Sequence, residues 1–196
     1  MARCLLVGVL NVTPDSFSDG GRYAAAADAV EAGVRLVEEG ADWLDVGGES
    51  TRPGSRPVPE EQEIARVVPV LEGLRQRLGE RARLSIDTYK SGTARAAGCR
   101  ALWADPGIGF GKQLPHNLAL LRALPELAAG LGVPLMVGVS RKAFIGALTG
   151  KASDARVFGT AAAVTAAVLG GAAAVRVHDV AAMRDVVTVA QALIRV

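Results

Sequence analysis

The stretch Leu84–Thr88, with the sequence LSIDT, decides the fold, because a short apolar run there ends abruptly in a polar pair. The same form recurs along the chain, and the resulting strand candidates are Leu5–Leu10, Trp43–Val46, Leu84–Ile86, Ala101–Ala104, Leu135–Val139 and Ala173–Val177. Short runs that are mainly apolar are typical of strands buried on both faces of a parallel sheet. The sequence therefore predicts such a sheet at the centre of the fold.

Longer amphipathic segments separate the strand candidates. The helix candidates are Ala24–Glu39, Glu60–Leu78, Ser91–Cys99, Asn117–Ala129, Ala155–Leu169 and Ala181–Ile194. The segment from residue 58 to residue 78 shows helical spacing most clearly, with apolar residues at steps of three and four, namely Ile64, Val67, Val68, Leu71 and Leu74. Strands that alternate with helices predict an α/β fold.

Polar residues concentrate in the loops that follow the strand candidates. These loops are Asn11–Gly21, Gly47–Gly54, Asp87–Thr88, Asp105–Lys112, Ser140–Lys142 and His178–Asp179. In a parallel barrel all strands end at the same rim, so the six loops would converge on one mouth. We therefore expect residues 1–196 to form one domain, a TIM-type (β/α)8 barrel of which about six βα units are visible. A doubly wound open sheet is the structural alternative.

Composition excludes several classes of protein. The net charge is only +2 and there is no dense basic run, so a nucleic-acid partner is not expected. The two cysteines and two histidines lack the spacing of a zinc or redox site. The longest uncharged stretch, Gly159–Val175, is too short and too weakly apolar to span a membrane, and no export signal is evident. We expect a cytoplasmic protein.

Two carboxylates, Asp87 and Asp105, occupy matching places after strand candidates. On a barrel rim, such a pair can accept hydrogen bonds from a heterocycle that carries N–H and NH₂ donors. Either residue alone is equally well explained as a helix N-cap, because Asp is strongly favoured there. Two of them at equivalent strand ends favour a ligand.

Cations also lie at strand ends. Arg176 and His178 are two residues apart in the last strand candidate, so they lie on the same face of it, and Arg52 lies in a loop rich in Gly and Pro. An inward-facing Arg and His near a barrel mouth suit a diphosphate, whose oxygens accept from the guanidinium fork. The alternative is an Arg176 held in a salt bridge by Asp87 or Glu49.

Three further positions give weaker signals. Lys142 follows a strand and can bridge two bound substrates, or can be simply solvated. Asn11 closes the first strand, where its oxygen can help to hold Mg²⁺ beside a diphosphate, although a turn-forming Asn explains it as well. Alternating glycines in Asp105–Lys112 permit close backbone approach to a flat ligand and let Phe110 project.

Taken together, these segments resemble the signatures of one family, the dihydropteroate synthases. Leu10–Gly21 is similar to the first signature of that family and Asp45–Gly54 to the second, while three more motifs follow in the same order, namely Asp105–Lys112, Ser140–Lys142 and Arg176–Asp179. The resemblance covers nearly the whole chain. It implies a transferase of folate biosynthesis that condenses 6-hydroxymethyl-7,8-dihydropterin diphosphate with p-aminobenzoate on a (β/α) barrel, working as a cytosolic homodimer.

The resemblance also implies a role for each matching residue. Asp87, Asp105 and Lys142 would hold the pterin ring. The diphosphate would be surrounded by Asn11, Thr51, Arg52, Arg176 and His178, with Asn11 near Mg²⁺. The p-aminobenzoate pocket, where sulfonamides compete, would be bordered by Phe17, Pro53, Phe110 and Lys142. Of these, Asp87, Asp105, Lys142 and Arg176 are the candidate catalytic residues.

The sequence departs from the family between Cys99 and Ala101, where the resemblance implies two more βα units of roughly seventy residues. One of these units carries an Asn–Asp strand end whose Asn contacts the pterin. Two other functions stay open, and the missing units support only the first of them. One is a non-catalytic homologue that binds a pterin or only dimerises, and the other is a pterin-binding methyltransferase on the same barrel.

Overall fold

Strands and helices alternate along the computed structural model, which describes residues 3–13, 21–49 and 57–194, without the side chains of residues 21–25. The strands are β1 (Leu5–Asn11), β2 (Trp43–Gly47), β3 (Arg83–Asp87), β4 (Met136–Gly138) and β5 (Ala174–Val177). The helices are α1 (Gly21–Glu38), α2 (Glu60–Leu78), α3 (Ser91–Ala96), α4 (Leu114–Arg122), α5 (Leu124–Gly130), α6 (Ala143–Thr149), α7 (Val157–Leu169) and α8 (Val180–Ala192). The α/β alternation predicted from the sequence is confirmed.

Residues Gly8–Ala101 form one compact unit, here called the N-terminal unit. Its strands are ordered β1-β2-β3, and β2 runs parallel to β3 so that Gly47 is level with Asp87. All five residues of β2 are buried, whereas β3 is exposed at both ends. The carboxyl ends of β2 and β3 therefore present Gly47 and Asp87 side by side.

Two glycines bring α1 close to α2 in this unit. A Cβ on Gly33 would lie 2.6 Å from Cδ2 of Leu74, and one on Gly73 would lie 2.7 Å from Cγ2 of Val30. Both distances are shorter than any normal carbon–carbon contact. Larger residues at these two positions would push the helices apart and open the core.

Residues Met1–Val7 and Leu102–Val196 form a second compact unit, here called the C-terminal unit. Its strands are ordered β1-β5-β4, and β4 runs parallel to β5 so that Gly138 is level with Arg176. Small residues let α7 lie close to the sheet, since Ala163 and Ala167 on α7 are buried together with Val175 in β5. This packing fixes β5, which ends just before His178.

The fourth predicted strand, Ala101–Ala104, is reduced to an isolated bridge between Ala104 and Leu135. The N–H of Ala104 donates to the Pro134 carbonyl at 3.0 Å, and the N–H of Met136 donates to the Ala104 carbonyl at 2.8 Å. To extend this parallel ladder by one more step towards the amino end, the backbone N–H of residue 134 would have to donate a hydrogen bond to the other strand. Residue 134 is a proline and has no N–H. The pairing therefore stops at Ala104, and the prediction of a full strand there is wrong.

Four of the predicted helices differ from the observed ones by one to three residues at an end, and two further differences are larger. The helix predicted at Asn117–Ala129 is divided at Ala123 into α4 and α5, because Pro125 has no N–H to continue the hydrogen-bond ladder. The structure also adds α6, in a segment for which the sequence analysis predicted no helix or strand. Among the described residues, no helix is long and apolar enough to cross a membrane.

Candidate active site

The carboxyl end of β5 carries Arg176, whose Nη2 donates to Oδ2 of Asp105 at 3.1 Å. The Arg176 side chain is 10% exposed and the Asp105 side chain 31% exposed, so the pair is only partly screened by water. The sequence analysis offered Asp87 or Glu49 as salt-bridge partners for Arg176. The partner seen in the C-terminal unit is Asp105, itself a candidate for binding the substrate.

Gly138 makes room for the Arg176 guanidinium. The two residues are level on neighbouring strands, and a Cβ on Gly138 would lie 3.3 Å from both Nε and Nη2 of Arg176. That distance is tighter than an ordinary contact, so a side chain at residue 138 would displace the guanidinium. The absence of a side chain at this point is therefore part of the site, and the sequence analysis did not identify it.

The loop from Asp105 to Lys112 is shaped by its alternating glycines. Gly107, Gly109 and Gly111 have φ angles of 67°, 85° and 58°, a left-handed conformation that costs other residues about 1–2 kcal/mol. The N–H of Gly107 donates to Oδ1 of Asp105 at 2.7 Å. The carboxylate of Asp105 is thus held by the backbone through one oxygen and by Arg176 through the other.

A buried asparagine fixes the far side of this loop. Oδ1 of Asn117, at the start of α4, accepts from the N–H of Gly109 at 2.6 Å, and its amide nitrogen donates to the carbonyl of Gln113 at 3.0 Å. The ammonium of Lys112 donates to the carbonyl of Gly107 at 2.8 Å. The sequence analysis read Asn117 only as the start of a helix, because the side-chain contact depends on how the loop folds back.

Lys142 packs across the same loop. Its Nζ lies 3.5 Å from the centre of the Phe110 ring, and its Cδ would be 2.8 Å from a Cβ on Gly109. A cation over the face of an aromatic ring is attracted by the ring quadrupole. The structure therefore brings together Lys142, Phe110 and the glycine loop, which the sequence analysis placed around one ligand.

His178 is hydrogen-bonded to Ser140, which lies two residues after the end of β4. The backbone N–H of His178 donates to the Ser140 hydroxyl oxygen at 3.2 Å, and His178 Nδ1 lies 3.0 Å from the same oxygen. Although part of His178 reaches solvent, burial lowers the pKa of His178 from 6.5 to about 4, with Arg141, Lys142 and Arg176 adding repulsion. His178 is therefore neutral near pH 7.

Arg141 and Asp179 form an ion pair beside His178. Nε and Nη2, on one edge of the Arg141 guanidinium, donate to the two oxygens of the Asp179 carboxylate, with Nε at 3.0 Å from Oδ2. Hydrogen bonding to Arg141 is the main cause that lowers the pKa of Asp179. Arg141 has a left-handed φ of 57°, and its N–H donates to the buried Thr160 hydroxyl at 3.1 Å. This bond helps to hold Arg141 in a conformation that is unfavourable for a non-glycine residue.

Asn11 and Asp87 are the candidate site residues of the N-terminal unit that lie within the described residues. Asp87 is level with Gly47, and a Cβ on Gly47 would lie 3.7 Å from Oδ1 of Asn11 and 3.9 Å from Cβ of Asp87. The N–H of Val12 donates to the Gly47 carbonyl at 2.8 Å. Asn11 and Asp87 therefore flank one glycine at the ends of β1 and β3.

A buried ion cluster of Glu49, Glu63 and Lys90 lies next to this point. The Lys90 ammonium donates to both carboxylates, at 3.1 Å in the case of Glu63 Oε2. The sequence analysis mentioned Glu49 only as a partner for Arg176, and did not identify Glu63 or Lys90. No local pattern marks them, because they come from a loop, from α2 and from the turn after β3.

Four of the predicted site residues, Phe17, Thr51, Arg52 and Pro53, lie outside the described residues. Within the part of the chain that the structure describes, no group of three or more His, Cys, Asp and Glu side chains could hold a metal ion.

The sequence of this chain is similar to those of known pterin-binding enzymes. A sequence model described as pterin binding enzyme matches residues 7–101 and 97–178 of this chain. The chain is also similar to the dihydropteroate synthase of Neisseria meningitidis serogroup B, with 38% identity, and the alignment covers 96% of this chain and 92% of that enzyme.

Solved structures give the same result. The dihydropteroate synthase of Xanthomonas albilineans with 4-aminobenzoic acid is 38% identical, with a TM-score of 0.88 over 99% of this chain and 94% of that chain. The same enzyme in complex with 7,8-dihydropteroate is 36% identical, with a TM-score of 0.84 over 99% and 95%. The expected fold class, α/β of the TIM-barrel type, is confirmed.

The comparisons also locate the departure after Cys99. The alignment with the Neisseria enzyme runs over 262 positions and this chain has 196 residues, so at least 66 positions of that enzyme have no counterpart here. The two stretches that match the family model meet between residues 97 and 101. Both findings agree with the sequence expectation that two βα units are missing at this point.

Proposed function

This chain belongs to the pterin-binding enzymes and, among them, to the dihydropteroate synthase family, and from that membership we propose how its side chains divide the work of the reaction. The enzyme is a transferase of folate biosynthesis that condenses 6-hydroxymethyl-7,8-dihydropterin diphosphate with p-aminobenzoate. The arylamine nitrogen forms a bond to the pterin methylene carbon, the bond from that carbon to oxygen breaks, and diphosphate leaves.

The observation that carries the proposal is the Arg176–Asp105 pair at the end of β5, with Gly138 leaving space beside it. A guanidinium with two N–H edges suits a diphosphate, and a carboxylate suits the N–H and NH₂ groups of a pterin. One ion pair can therefore contact both halves of the first substrate. We assign the diphosphate to Arg176 and His178, and the pterin to Asp105, Asp87 and Lys142.

His178 contributes as a neutral donor. In the arrangement that we assign, the Ser140 hydroxyl accepts from the His178 backbone N–H and donates its proton to Nδ1, which leaves the ring proton on Nε2. A neutral imidazole can then donate from Nε2 to a phosphate oxygen. The approach of a dianionic group raises the pKa of such a histidine, because it favours the protonated form.

The chemistry requires little acid–base catalysis. A pterin can stabilise positive charge at its methylene carbon, so the diphosphate can leave before the amine has bonded. Asp87 and Asp105 would stabilise that cation, while Arg176 neutralises the leaving group. The remaining task is to place the amine in line with the carbon. Phe110, under the Lys142 ammonium, provides an apolar surface for the arylamine.

The four candidate residues outside the described ranges keep their proposed roles. Thr51 and Arg52 are assigned to the diphosphate. Phe17 and Pro53 are assigned, with Phe110, to the p-aminobenzoate pocket.

We propose Mg²⁺ as the cofactor. The ion usually takes one or two protein ligands together with phosphate oxygens and water, so it does not require a cluster of carboxylates. The exposed amide of Asn11 at the end of β1, beside Gly47, supplies an oxygen of the right kind. Mg²⁺ held by Asn11 would neutralise part of the charge that develops on the departing diphosphate.

We also propose that the chain acts as a cytoplasmic homodimer and as one domain over residues 1–196. The support for a dimer is exposed apolar side chains on α7, on α8 and at the residue that follows α8, since Phe158, Leu169, Val189 and Leu193 are all at least half exposed. Exposed apolar surface of this extent favours association between proteins.

The test is direct. Purified chain incubated with the pterin diphosphate, Mg²⁺ and p-aminobenzoate should release diphosphate and form dihydropteroate, and the Asp105→Asn variant should lose most of this activity. Release that is equal in the variant and the parent would contradict the assignment of Asp105.

A second candidate function is supported by the gap of at least 66 positions. It is a pterin-binding protein without catalytic activity. Isothermal titration with the free pterin separates the two, because binding without diphosphate release would favour the second candidate.

A further inference from the structure

The ion cluster of Glu49, Glu63 and Lys90 is unusually well shielded from water. The side chains of Lys90, Glu49 and Glu63 are 12%, 14% and 1% exposed. Removing such charges from water costs free energy that their mutual attraction only partly offsets. A contribution to stability therefore explains the cluster less well than a role in holding the surrounding chain in a fixed geometry.

Glu63 is the centre of the cluster. Its Oε2 accepts from the Thr88 hydroxyl at 3.1 Å, from the Thr93 hydroxyl at 3.0 Å and from the Lys90 ammonium at 3.1 Å. The backbone N–H of Lys90 also donates to the Thr88 hydroxyl oxygen at 3.1 Å. One carboxylate oxygen on α2 thus holds the whole turn that begins directly after Asp87.

The same helix holds the end of β2. A Cβ on Gly48 would lie 2.9 Å from Cγ of Glu63, and Nη1 of Arg66 donates to the Gly48 carbonyl at 2.9 Å. One residue later, Glu49 binds the Lys90 ammonium, and it accepts from the Tyr89 hydroxyl at 3.2 Å. The chain leaving β2 is therefore tied to the turn that follows β3.

We infer that Lys90 is a positioning residue, which joins Glu49 to Glu63 and so holds the carboxyl ends of β2 and β3 in the geometry that presents Asp87 to the pterin. The inference rests on the proposed role of Asp87. Lys90 itself touches neither substrate. Its effect reaches the pterin through Thr88 and through Gly47, which is level with Asp87.

The charges of Lys90 and Glu49 persist under assay conditions. The Glu49 and Glu63 carboxylates raise the pKa of Lys90 above its ordinary value, against the opposing effect of burial. The pKa of Glu49 is lowered by Lys90, also against burial. Lys90 and Glu49 therefore stay ionised near pH 7.

The first variant is Lys90→Met, which removes the charge but keeps a long side chain, and Lys90→Arg is the conservative counterpart. The matched control is Arg77→Met, because Arg77 also joins α2 to a carboxylate, that of Glu31 at 2.6 Å, but on an exposed surface. Affinity for the free pterin is measured by titration calorimetry, and kcat and KM by diphosphate release. Urea unfolding gives stability.

We expect Lys90→Met to weaken pterin binding about tenfold to 100-fold, because a displacement of about 1 Å at a reacting site has effects of that size. KM for the pterin diphosphate should rise by a similar factor, Lys90→Arg should recover part of the loss, and Arg77→Met should change neither quantity. Pterin affinity in Lys90→Met equal to that of the parent would overturn the inference.

A double variant separates positioning from stability. Lys90→Met destabilises the protein because it leaves Glu63 buried with fewer partners, and adding Glu63→Gln removes that buried charge. We expect the double variant to regain stability without regaining pterin affinity. Recovery of both together would show that Lys90 acts only through stability, and would also overturn the inference.

The outcomes distinguish this inference from the proposed function. A parent chain that binds pterin without releasing diphosphate contradicts the proposed function, while the pterin affinities still test Lys90. A parent chain that binds no pterin contradicts both.

Discussion

Replacing Gly109 by alanine tests the arrangement of the glycine loop, Phe110 and Lys142. A new Cβ at residue 109 would lie 2.8 Å from Cδ of Lys142, about 1 Å inside the usual carbon–carbon contact distance of roughly 3.5–4.0 Å. The Lys142 stem must therefore move by about that distance. Its ammonium would then leave the position 3.5 Å above the centre of the Phe110 ring.

The loop contains its own control, Gly111→Ala. Gly111 also has a left-handed φ, of 58° against 85° for Gly109, but a Cβ there would meet no atom within 4 Å. Each alanine variant carries the cost of a left-handed non-glycine residue, about 1–2 kcal/mol. The Gly109 variant additionally loses the contact of Lys142 with Phe110, which is worth about 0.5–2 kcal/mol.

Urea unfolding should therefore show Gly109→Ala to be less stable than Gly111→Ala by about 1 kcal/mol, the middle of the range for the lost cation–π contact. Titration calorimetry should show pterin affinity reduced about tenfold or more in Gly109→Ala, because Lys142 is displaced. We expect Gly111→Ala to keep the pterin affinity of the parent. If the two variants match in stability and in pterin affinity, the assignment of Lys142 to the pterin is wrong.

Three further predictions concern other parts of the molecule. Because the pKa of His178 is lowered to about 4, the folded state favours the neutral ring, so the free energy of unfolding should be constant above about pH 6.5 and fall between about pH 6.5 and pH 4. His178→Asn should remove part of that fall in urea titrations at a series of pH values, and an unchanged pH profile would contradict the shift. Gly138→Ala places a Cβ 3.3 Å from the Arg176 guanidinium, so it should raise KM for the pterin diphosphate. Its affinity for the free pterin should stay within about twofold of that of the parent. Equal losses in the two assays would contradict this expectation. Sedimentation should show a dimer at micromolar concentration. Leu193→Arg, directly after α8, should dissociate it, because burying an unpaired charge in an apolar interface is costly. A parent chain that sediments as a monomer would contradict the proposed dimer.

Local chemistry in the sequence was sufficient to predict most of the fold. The alternation of apolar strands with amphipathic helices depends only on residues near one another in the chain, and it predicted β1, β2, β3, β4, β5 and the full extent of α2. Proline changed two of the remaining predictions, since Pro134 ends the pairing at Ala104 and Pro125 divides a helix. Both effects arise from the missing N–H. The consequence of Pro134 depends on which strand lies beside it, whereas the consequence of Pro125 is local to its own helix.

In the candidate site, too, some features could be predicted from the sequence and others could not. The sequence by itself identified Asp105, Lys142, Arg176 and His178, because unusual residue types at strand ends are visible without a structure. Only the tertiary structure showed that Arg176 pairs with Asp105, a residue 71 positions earlier, and that Glu63 binds Lys90, 27 positions later. Contacts over such distances depend on how strands and helices pack, and a side chain that acts by holding another one leaves no local pattern in the sequence.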